Sequence, residues 1–204
     1  MDAVLQSWLE TGLIWLPQRG VGYLEAKPRC YDSAYFAKYR EYEATERGQA
    51  ITQSRLEMVR RHWLGPMVDV GIGSGAFANA AECHGYDINP AGVDWLISHG
   101  RYFDPYACHV DAVTFWDSLE HIADPAPLLA NVRQWAFISA PIYRDVEHVI
   151  ASRHYRPDEH YHYWTRAGLQ LWMREHGFRC VEFNAAETAL GRDGIESFAF
   201  MRVA

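Results

Sequence analysis

A glycine-rich segment next to an acid is the part of this 204-residue sequence best suited to bind a ligand. Asp69 comes just before Gly71, Gly73 and Gly75, in the order Asp-Val-Gly-Ile-Gly-Ser-Gly-Ala. Glycine allows positive φ angles and lets a ligand lie against bare backbone. The spacing also matches the dinucleotide fingerprint, through Gly71, Gly73 and Ala76. An ordinary turn can have the same composition, so the neighbouring residues must decide what the segment binds.

The acids around the glycines favour a cationic ligand that has no phosphate. Asp69 has no Lys or Arg beside it, so its carboxylate would repel a pyrophosphate and attract an ammonium group. Asp87 follows Gly71 by 16 residues, and an acid at that place can accept hydrogen bonds from both hydroxyls of a ribose. S-adenosylmethionine contains an ammonium group and a ribose but no phosphate, and is therefore the predicted ligand. In the alternative interpretation, Asp69 and Asp87 are only turn residues.

Acids and a histidine that follow a predicted strand are candidates for the chemistry. If the ligand is S-adenosylmethionine, the expected reaction is methyl transfer. Transfer to a hydroxyl needs a base that removes the proton, and a histidine with a pKa near the working pH suits that task. His121 and Asp117 follow the apolar run over 110–116 and are our first catalytic candidates. In a helical turn, Asp117, Glu120 and His121 would share one face and could hold Mg²⁺ or Mn²⁺. We prefer a polar turn without a metal.

Strand and helix patterns alternate from position 65 onward and determine where these residues lie. Apolar runs predict strands over 67–70, 85–88, 110–116, 135–140, 178–183 and 195–203. Helices are indicated after Asn89-Pro90, after Asp124-Pro125 and after Thr165. This alternation predicts a parallel sheet with helices on both faces, whose ligands bind at the carboxyl ends of the strands. The last two strands have only a loop between them and should be antiparallel.

The motifs resemble those of the class I S-adenosylmethionine-dependent methyltransferases. Asp69 and the three glycines match their first motif, and Asp87 matches their second. Leu119-Glu120-His121 is similar to the L-E-H stretch of the small-molecule branch related to the ubiquinone O-methyltransferases, and bacteriophage-encoded members are the nearest in character. The resemblance covers residues 67–204. It implies transfer of a methyl group to an oxygen or nitrogen of a small or medium-sized acceptor, with S-adenosylhomocysteine as the product.

The resemblance also implies a fold, and the mostly helical pattern of the first 64 residues, where the resemblance fades, indicates a second domain. The fold is an α/β, Rossmann-like, seven-stranded and mostly parallel sheet with an antiparallel C-terminal hairpin. Residues 65–204 would form this methyltransferase domain, and residues 1–64 a helical N-terminal cap whose clearest helix covers 50–64. Tyr35, Phe36 and Tyr39 of the cap could reach the cofactor or the acceptor, or could serve only in packing.

Individual residues follow from the same resemblance. The cofactor-binding residues that it implies are Asp69, Gly71, Gly73, Gly75, Asp87, Ile88, Phe103, Trp116 and Asp117. Of these, Phe103 (or its neighbour Asp104) would contact the adenine, whereas Trp116 and Asp117 would line the reactive end. Some relatives carry E-x-x-E-H at positions 117–121 and bind a divalent metal there. This chain has Asp117 in the first place, so the match is partial and a metal is not favoured.

A second group of histidines and aromatic residues occupies positions 154–164, where the family has a substrate-covering loop. His160 and His162 would point in opposite directions in a strand, so only one of them could face the site. We take His160 as a further catalytic candidate. An aromatic, histidine-rich loop suits a planar or sugar-like acceptor, but an ordinary surface segment can have the same composition.

Composition restricts the partners. The chain has 19 Lys and Arg against 26 Asp and Glu, and its net charge of −7 argues against nucleic acid as a partner. Scattered cysteines, an N-terminus without the basic start of a signal peptide and the lack of a membrane-length apolar stretch predict a cytoplasmic protein that binds no membrane. RNA methylation, a non-catalytic methyltransferase-like binding protein and an NAD-dependent oxidoreductase stay open as alternatives, although Asp69 argues against the last.

Overall fold

The computed structural model describes residues 11–25 and 31–203. The N-terminal residues 1–10, where we expect no signal peptide, and Cys30 lie outside these ranges. The cysteines within them, Cys83, Cys108 and Cys180, are all free thiols.

Nine strands form the sheet of the described residues. In chain order they are β1 (Ile14–Leu16), β2 (Val21–Tyr23), β3 (Val68–Val70), β4 (His84–Tyr86), β5 (Val110–Trp116), β6 (Val132–Tyr143), β7 (His162–Thr165), β8 (Phe178–Asn184) and β9 (Ile195–Arg202). Each strand predicted from an apolar run is present, with ends that differ by a few residues.

Helices connect the strands and flank the sheet. They are α1 (Ser33–Glu43), α2 (Glu46–His62), α3 (Ala76–Ala80), α4 (Pro90–Ser98), α5 (Ala126–Asn131), α6 (Val146–Ala151), α7 (Arg166–Glu175) and α8 (Ala186–Ala189), with a 3-10 turn at Leu119–His121. The helix starts predicted at Asn89 and Thr165 are confirmed, because both side chains accept backbone N–H groups of the first turn.

The central part of the sheet has the strand order β4-β3-β5-β6-β9-β8. β3, β4, β5 and β6 run parallel to one another, whereas β9 is antiparallel to both β6 and β8. This order confirms the predicted Rossmann-like α/β sheet with an antiparallel C-terminal hairpin. The carboxyl ends of β3, β4 and β5 therefore meet at one edge, where the glycines, Asp87 and Asp117 follow.

The sheet is larger than the predicted seven strands. β1 and β2 form a hairpin, β2 pairs with β7, and β7 pairs with the last two residues of β6. The helical prediction for residues 1–64 is therefore correct for α1 and α2 but wrong for residues 14–23. Strands of three residues carry almost no periodic pattern, and their partner lies about 140 residues further along the chain.

Two apolar clusters cover the two faces of the sheet. On one face, Leu128 of α5 and Leu169 and Met173 of α7 pack with the β-strand core and are completely buried. On the other face, Val59 of α2 and Phe77 of α3 pack against the sheet. In the described ranges, no helix combines the length and apolar character that a membrane crossing requires.

Gly168 provides a test of how the hairpin docks. Alanine normally stabilises a helix by about 1 kcal/mol relative to glycine, but a Cβ at Gly168 would lie 2.0 Å from the carbonyl oxygen of Gly20. That oxygen accepts the backbone N–H of Thr165 at 2.8 Å. We expect Gly168→Ala to lower the free energy of unfolding by about 1–3 kcal/mol, measured by urea denaturation, because the hairpin must move.

The control is Ala167→Gly at the exposed neighbouring position, which should cost only the helix propensity of about 1 kcal/mol. An increase in stability of Gly168→Ala would contradict the docking described here.

Candidate active site

The glycine loop after β3 has the backbone that only glycine adopts easily. The φ angles are 76° at Gly71, 59° at Gly73 and 86° at Gly75. A Cβ at Gly71 would lie 2.6 Å from Cβ of Ser118, and one at Gly75 would lie 2.7 Å from the Trp95 ring. The first two glycines line a cavity, whereas Gly75 is the N-cap of α3 and packs against Trp95. The loop therefore presents bare backbone to the cavity at Gly71 and Gly73.

A cavity of about 320 Å³ opens at the carboxyl ends of β3, β4 and β5. The residues of this cavity that were assigned from the sequence are Asp69, Gly71, Gly73, Asp87, Ile88, Trp116, Asp117 and His121. Tyr35 and Tyr39 of α1 line it as well, while Phe36 is buried against Ile72 and Leu96. The structure thus brings most of the predicted set to one place.

Asp69 and Asp87 lie at the two strand ends beside the loop. The hydroxyl of Thr114 donates to Oδ1 of Asp69 at 2.6 Å, and burial raises the pKa of this carboxyl to about 7. Oδ1 of Asp87 accepts the backbone N–H of Asn89 at 2.7 Å. Burial raises the pKa of Asp87 as well. Both carboxyls face a place where a positive or hydrogen-bond-donating ligand would be favoured.

Glu43 is an acid of the site that the sequence did not reveal. It lies at the end of α1, lines the cavity and accepts a short hydrogen bond from the Ser74 hydroxyl. Burial raises the pKa of Glu43, and the backbone N–H groups of Ser74 and Ala76 act against that rise. The amides that would otherwise bind a phosphate at the glycine loop therefore already face a carboxylate.

Phe103, which we expect to contact the adenine, does not line this cavity. Between α4 and β5, the described chain forms a single bridge to the sheet, between Gly85 and Tyr102. The Phe103 side chain packs on the core and contacts the ring of His84. Tyr106 lines the cavity on this side instead.

Asp117 is held by two arginines. Its Oδ2 accepts hydrogen bonds from Arg55 at 2.9 Å and from Arg192 at 2.6 Å. Glu187, which is 1% exposed, binds the same two guanidinium groups and completes a network of two cations and two anions. Burial by itself would raise the pKa of Asp117, but the charges of Arg192 and Arg55 lower this pKa to about 2. A carboxylate in this state is a poor base, so Asp117 is not suited to removing a proton at neutral pH.

His121 and His160 meet next to Glu120. The centroids of the two histidine rings are 4.5 Å apart, and Nδ1 of His121 lies 3.0 Å from the Tyr31 hydroxyl. Burial lowers the pKa of His121, and burial together with the neighbouring His121 lowers the pKa of His160 to about 2. Both rings are therefore neutral at physiological pH. His162 lies apart in β7, where its Nε2 is 2.9 Å from the carbonyl oxygen of Ile122.

Glu120, His121 and His160 each place one potential ligand atom within 4.8 Å of the others. Oε2 of Glu120 and Nδ1 of His160 are buried and have no hydrogen-bond partner among the described residues. These three side chains could hold a divalent cation. Asp117, which we had considered for such a site, is engaged by the arginines instead.

The residues that sequence reasoning missed share one property. They are Glu43, Arg55, Glu187 and Arg192, and each of them has a partner that lies 31 or more positions away in the chain. No local motif in the sequence marks them.

A methyltransferase-domain family model matches residues 36–183. The chain belongs to this family of methyltransferase domains. The match begins within α1 and ends within β8, so it includes the glycine loop and all the residues that line the cavity except Tyr31, Tyr35 and Arg192. A comparison with the curated proteins finds no match.

Solved structures share the fold at low sequence identity. A methyltransferase of Haloferax volcanii, in complex with a methyltransferase activator, has a TM-score of 0.62 and 15% identity over 84% of this chain and 95% of its own. Magnesium protoporphyrin IX methyltransferase of Synechocystis PCC 6803, with bound S-adenosylhomocysteine, has a TM-score of 0.59 and 12% identity over 84% and 95%. An S-adenosylmethionine-dependent methyltransferase of Aquifex aeolicus has a TM-score of 0.56 and 12% identity over 82% and 98%.

The arginine network of this methyltransferase domain can be tested by removing one cation. Arg55→Gln leaves Asp117 and Glu187 buried with Arg192 as their remaining charged partner, so we expect the free energy of unfolding to fall by about 3 kcal/mol or more in urea denaturation. The control is Arg61→Gln, because the Arg61 side chain is 49% exposed in its pair with Glu182 and should contribute at most about 1 kcal/mol. Equal losses in both variants would contradict the role of the network.

Asp69 should make stability depend on pH. Its pKa of about 7 in the folded chain lies above the ordinary 3.8, so the folded state holds a proton that the unfolded state has lost. Stability from this group is present at low pH and is lost as the pH rises from about 4 to about 7. Asp69→Asn keeps an acceptor for Thr114 but does not titrate. The wild-type free energy of unfolding, relative to that of the variant, should therefore fall by up to a few kcal/mol between pH 4 and pH 7.5.

The matched control is Asp94→Asn, which changes an exposed acid on α4. For this control the difference from the wild type should stay constant with pH. A constant difference for Asp69→Asn as well would show that Asp69 titrates normally.

Proposed function

We propose that the chain is an S-adenosylmethionine-dependent methyltransferase that transfers a methyl group to an oxygen or nitrogen of a small or medium-sized acceptor. One observation carries the choice of cofactor: Glu43, Asp69 and Asp87 surround the glycine loop. The arginines that line the same cavity, Arg55 and Arg192, are paired with Asp117 and Glu187. A cavity with these charges favours an ammonium group and disfavours a diphosphate.

The residues present fit S-adenosylmethionine group by group. Asp87 stands at the end of β4, where its carboxylate can accept a ribose hydroxyl, and Gly71 and Gly73 allow close contact with the backbone. Glu43 and Asp69 are placed to bind the ammonium of the methionine part. Family membership and the S-adenosylhomocysteine bound to the Synechocystis neighbour support this assignment.

The cofactor, when bound, supplies an activated methyl group on a positively charged sulfur. The chain must align the acceptor and remove its proton. We assign the proton to His121, because it is neutral and lines the cavity at the end of β5. A neutral imidazole keeps a lone pair on one of its two ring nitrogens, and this nitrogen can take the acceptor's proton. His160 contacts the ring edge-on and would restrict its orientation.

The test uses S-adenosylmethionine labelled in the methyl group, together with a fractionated cell extract. We expect one extract fraction to take up label with the wild-type protein. Asp87→Ala should abolish this transfer and weaken S-adenosylhomocysteine binding at least about tenfold in calorimetry, because a buried ribose would lose its acceptor. Asp94→Ala, at an exposed position of α4, should change neither.

His121→Asn separates catalysis from cofactor binding. It should reduce the transfer rate at least about 100-fold and leave the affinity for S-adenosylhomocysteine within about twofold. His109→Asn, at an exposed histidine outside the cavity, should change neither quantity. Binding without transfer in any fraction would favour a non-catalytic binding protein, and tight NADH binding without S-adenosylhomocysteine binding would favour an oxidoreductase.

A further inference from the structure

A second cavity, of about 700 Å³, adjoins the cofactor cavity. The residues that line both cavities are Tyr35, Tyr39, Tyr42, Asp117, His121 and Arg192. A methyl group passes directly from donor to acceptor, so the two must bind side by side with their reacting atoms about 3 Å apart. The second cavity meets this condition, because His121 and the end of β5 belong to its wall as well.

Three cations stand on the rim of the second cavity. Lys38 lies on α1, Arg47 on α2 and Arg153 directly after α6, and all three are exposed. Lys38 and Arg153 form no ion pair within the described part of the chain. Arg47 donates from Nε to the carbonyl oxygen of Leu190 at 2.7 Å, a contact that orients its guanidinium without neutralising it.

The acids of the same cavity compensate little of this charge. Asp117 and Glu159 have arginine partners, and Glu120 is only 1% exposed at the bottom of the cavity. Asp32 is the exposed acid on this wall, and its Oδ1 accepts the backbone N–H of Tyr35. Besides Arg156, which pairs with Glu159, three exposed cations without an ion pair among the described residues therefore face one exposed acid, in a chain whose net charge is −7.

We propose that the second cavity binds the methyl acceptor and that this acceptor carries a phosphate or carboxylate group held by Lys38, Arg47 and Arg153. The inference rests on the proposed methyltransferase function and adds the class of acceptor. Lysine and arginine bind such groups through charge-assisted hydrogen bonds, and arginine can do so with two parallel bonds. With the anionic group on the rim, the methylated atom would lie inward, next to His121. The opposite signs of the two cavities then direct donor and acceptor to different places.

The experiment is calorimetric titration of the protein, saturated with S-adenosylhomocysteine, with pyrophosphate and with citrate. Saturation keeps both probes out of the cofactor cavity, and EDTA keeps the buffer free of metal ions that could bind the probes or the Glu120, His121 and His160 cluster. We expect at least one probe to bind at about 150 mM salt, and K38Q/R153Q to weaken this binding at least about tenfold.

The matched control is R60Q/R179Q, which removes the same charge from exposed positions outside both cavities and should change the affinity less than about twofold. Both pairs should leave S-adenosylhomocysteine binding unchanged. A preference for pyrophosphate identifies a phosphate on the acceptor, and a preference for citrate identifies carboxylates.

The proposal is overturned if neither probe binds, or if both variant pairs weaken binding equally. S-adenosylhomocysteine is titrated first into every sample. Its failure to bind contradicts the methyltransferase function, whereas its binding without any anion binding overturns only the assignment of the acceptor.

Discussion

Four charged side chains between the two cavities set the strictest constraint on this structure. The two cations are Arg55 of α2 and Arg192 of the loop before β9. The two anions are Asp117 at the end of β5 and Glu187 of α8, so the charges balance. An unpaired charge at this depth would cost several kcal/mol, so these elements must assemble as a set. The guanidinium of Arg55 also lies 5.1 Å from the centre of the Trp116 ring, which fixes it above the end of β5.

The same network allows two neighbouring cavities to differ in sign. Because Arg55 and Arg192 are occupied by carboxylates, the cofactor cavity presents Glu43, Asp69 and Asp87 without a competing cation. The lysine and arginines of the second cavity stay on its exposed rim, where water reduces the cost of their charge. The proposed cationic donor and anionic acceptor would thereby be separated over one shared wall.

Burial at that wall determines the protonation state of the histidines. His121 and His160 lie where a charged imidazole is disfavoured, so both stay neutral and one can accept a proton. Asp117 shows the opposite case, because two guanidinium groups keep it ionised in spite of its burial. Asp117 and His121 are only four positions apart in the sequence, and their surroundings shift the charge state of each in a different way.

The sequence alone determined the features that depend on local geometry. The glycines of the loop, the caps at Asn89 and Thr165 and the strands of the central sheet follow from positive φ angles, short-range hydrogen bonds and apolar periodicity. Only the tertiary structure decided the other features. It places Phe103 on the core and pairs the β1–β2 hairpin with β7. It also brings the carboxylate of Glu43 to the glycine loop and the two arginines to Asp117. These contacts join residues 30 to 140 positions apart or depend on which side of a short strand faces the core, and neither relation leaves a periodic signal in the sequence.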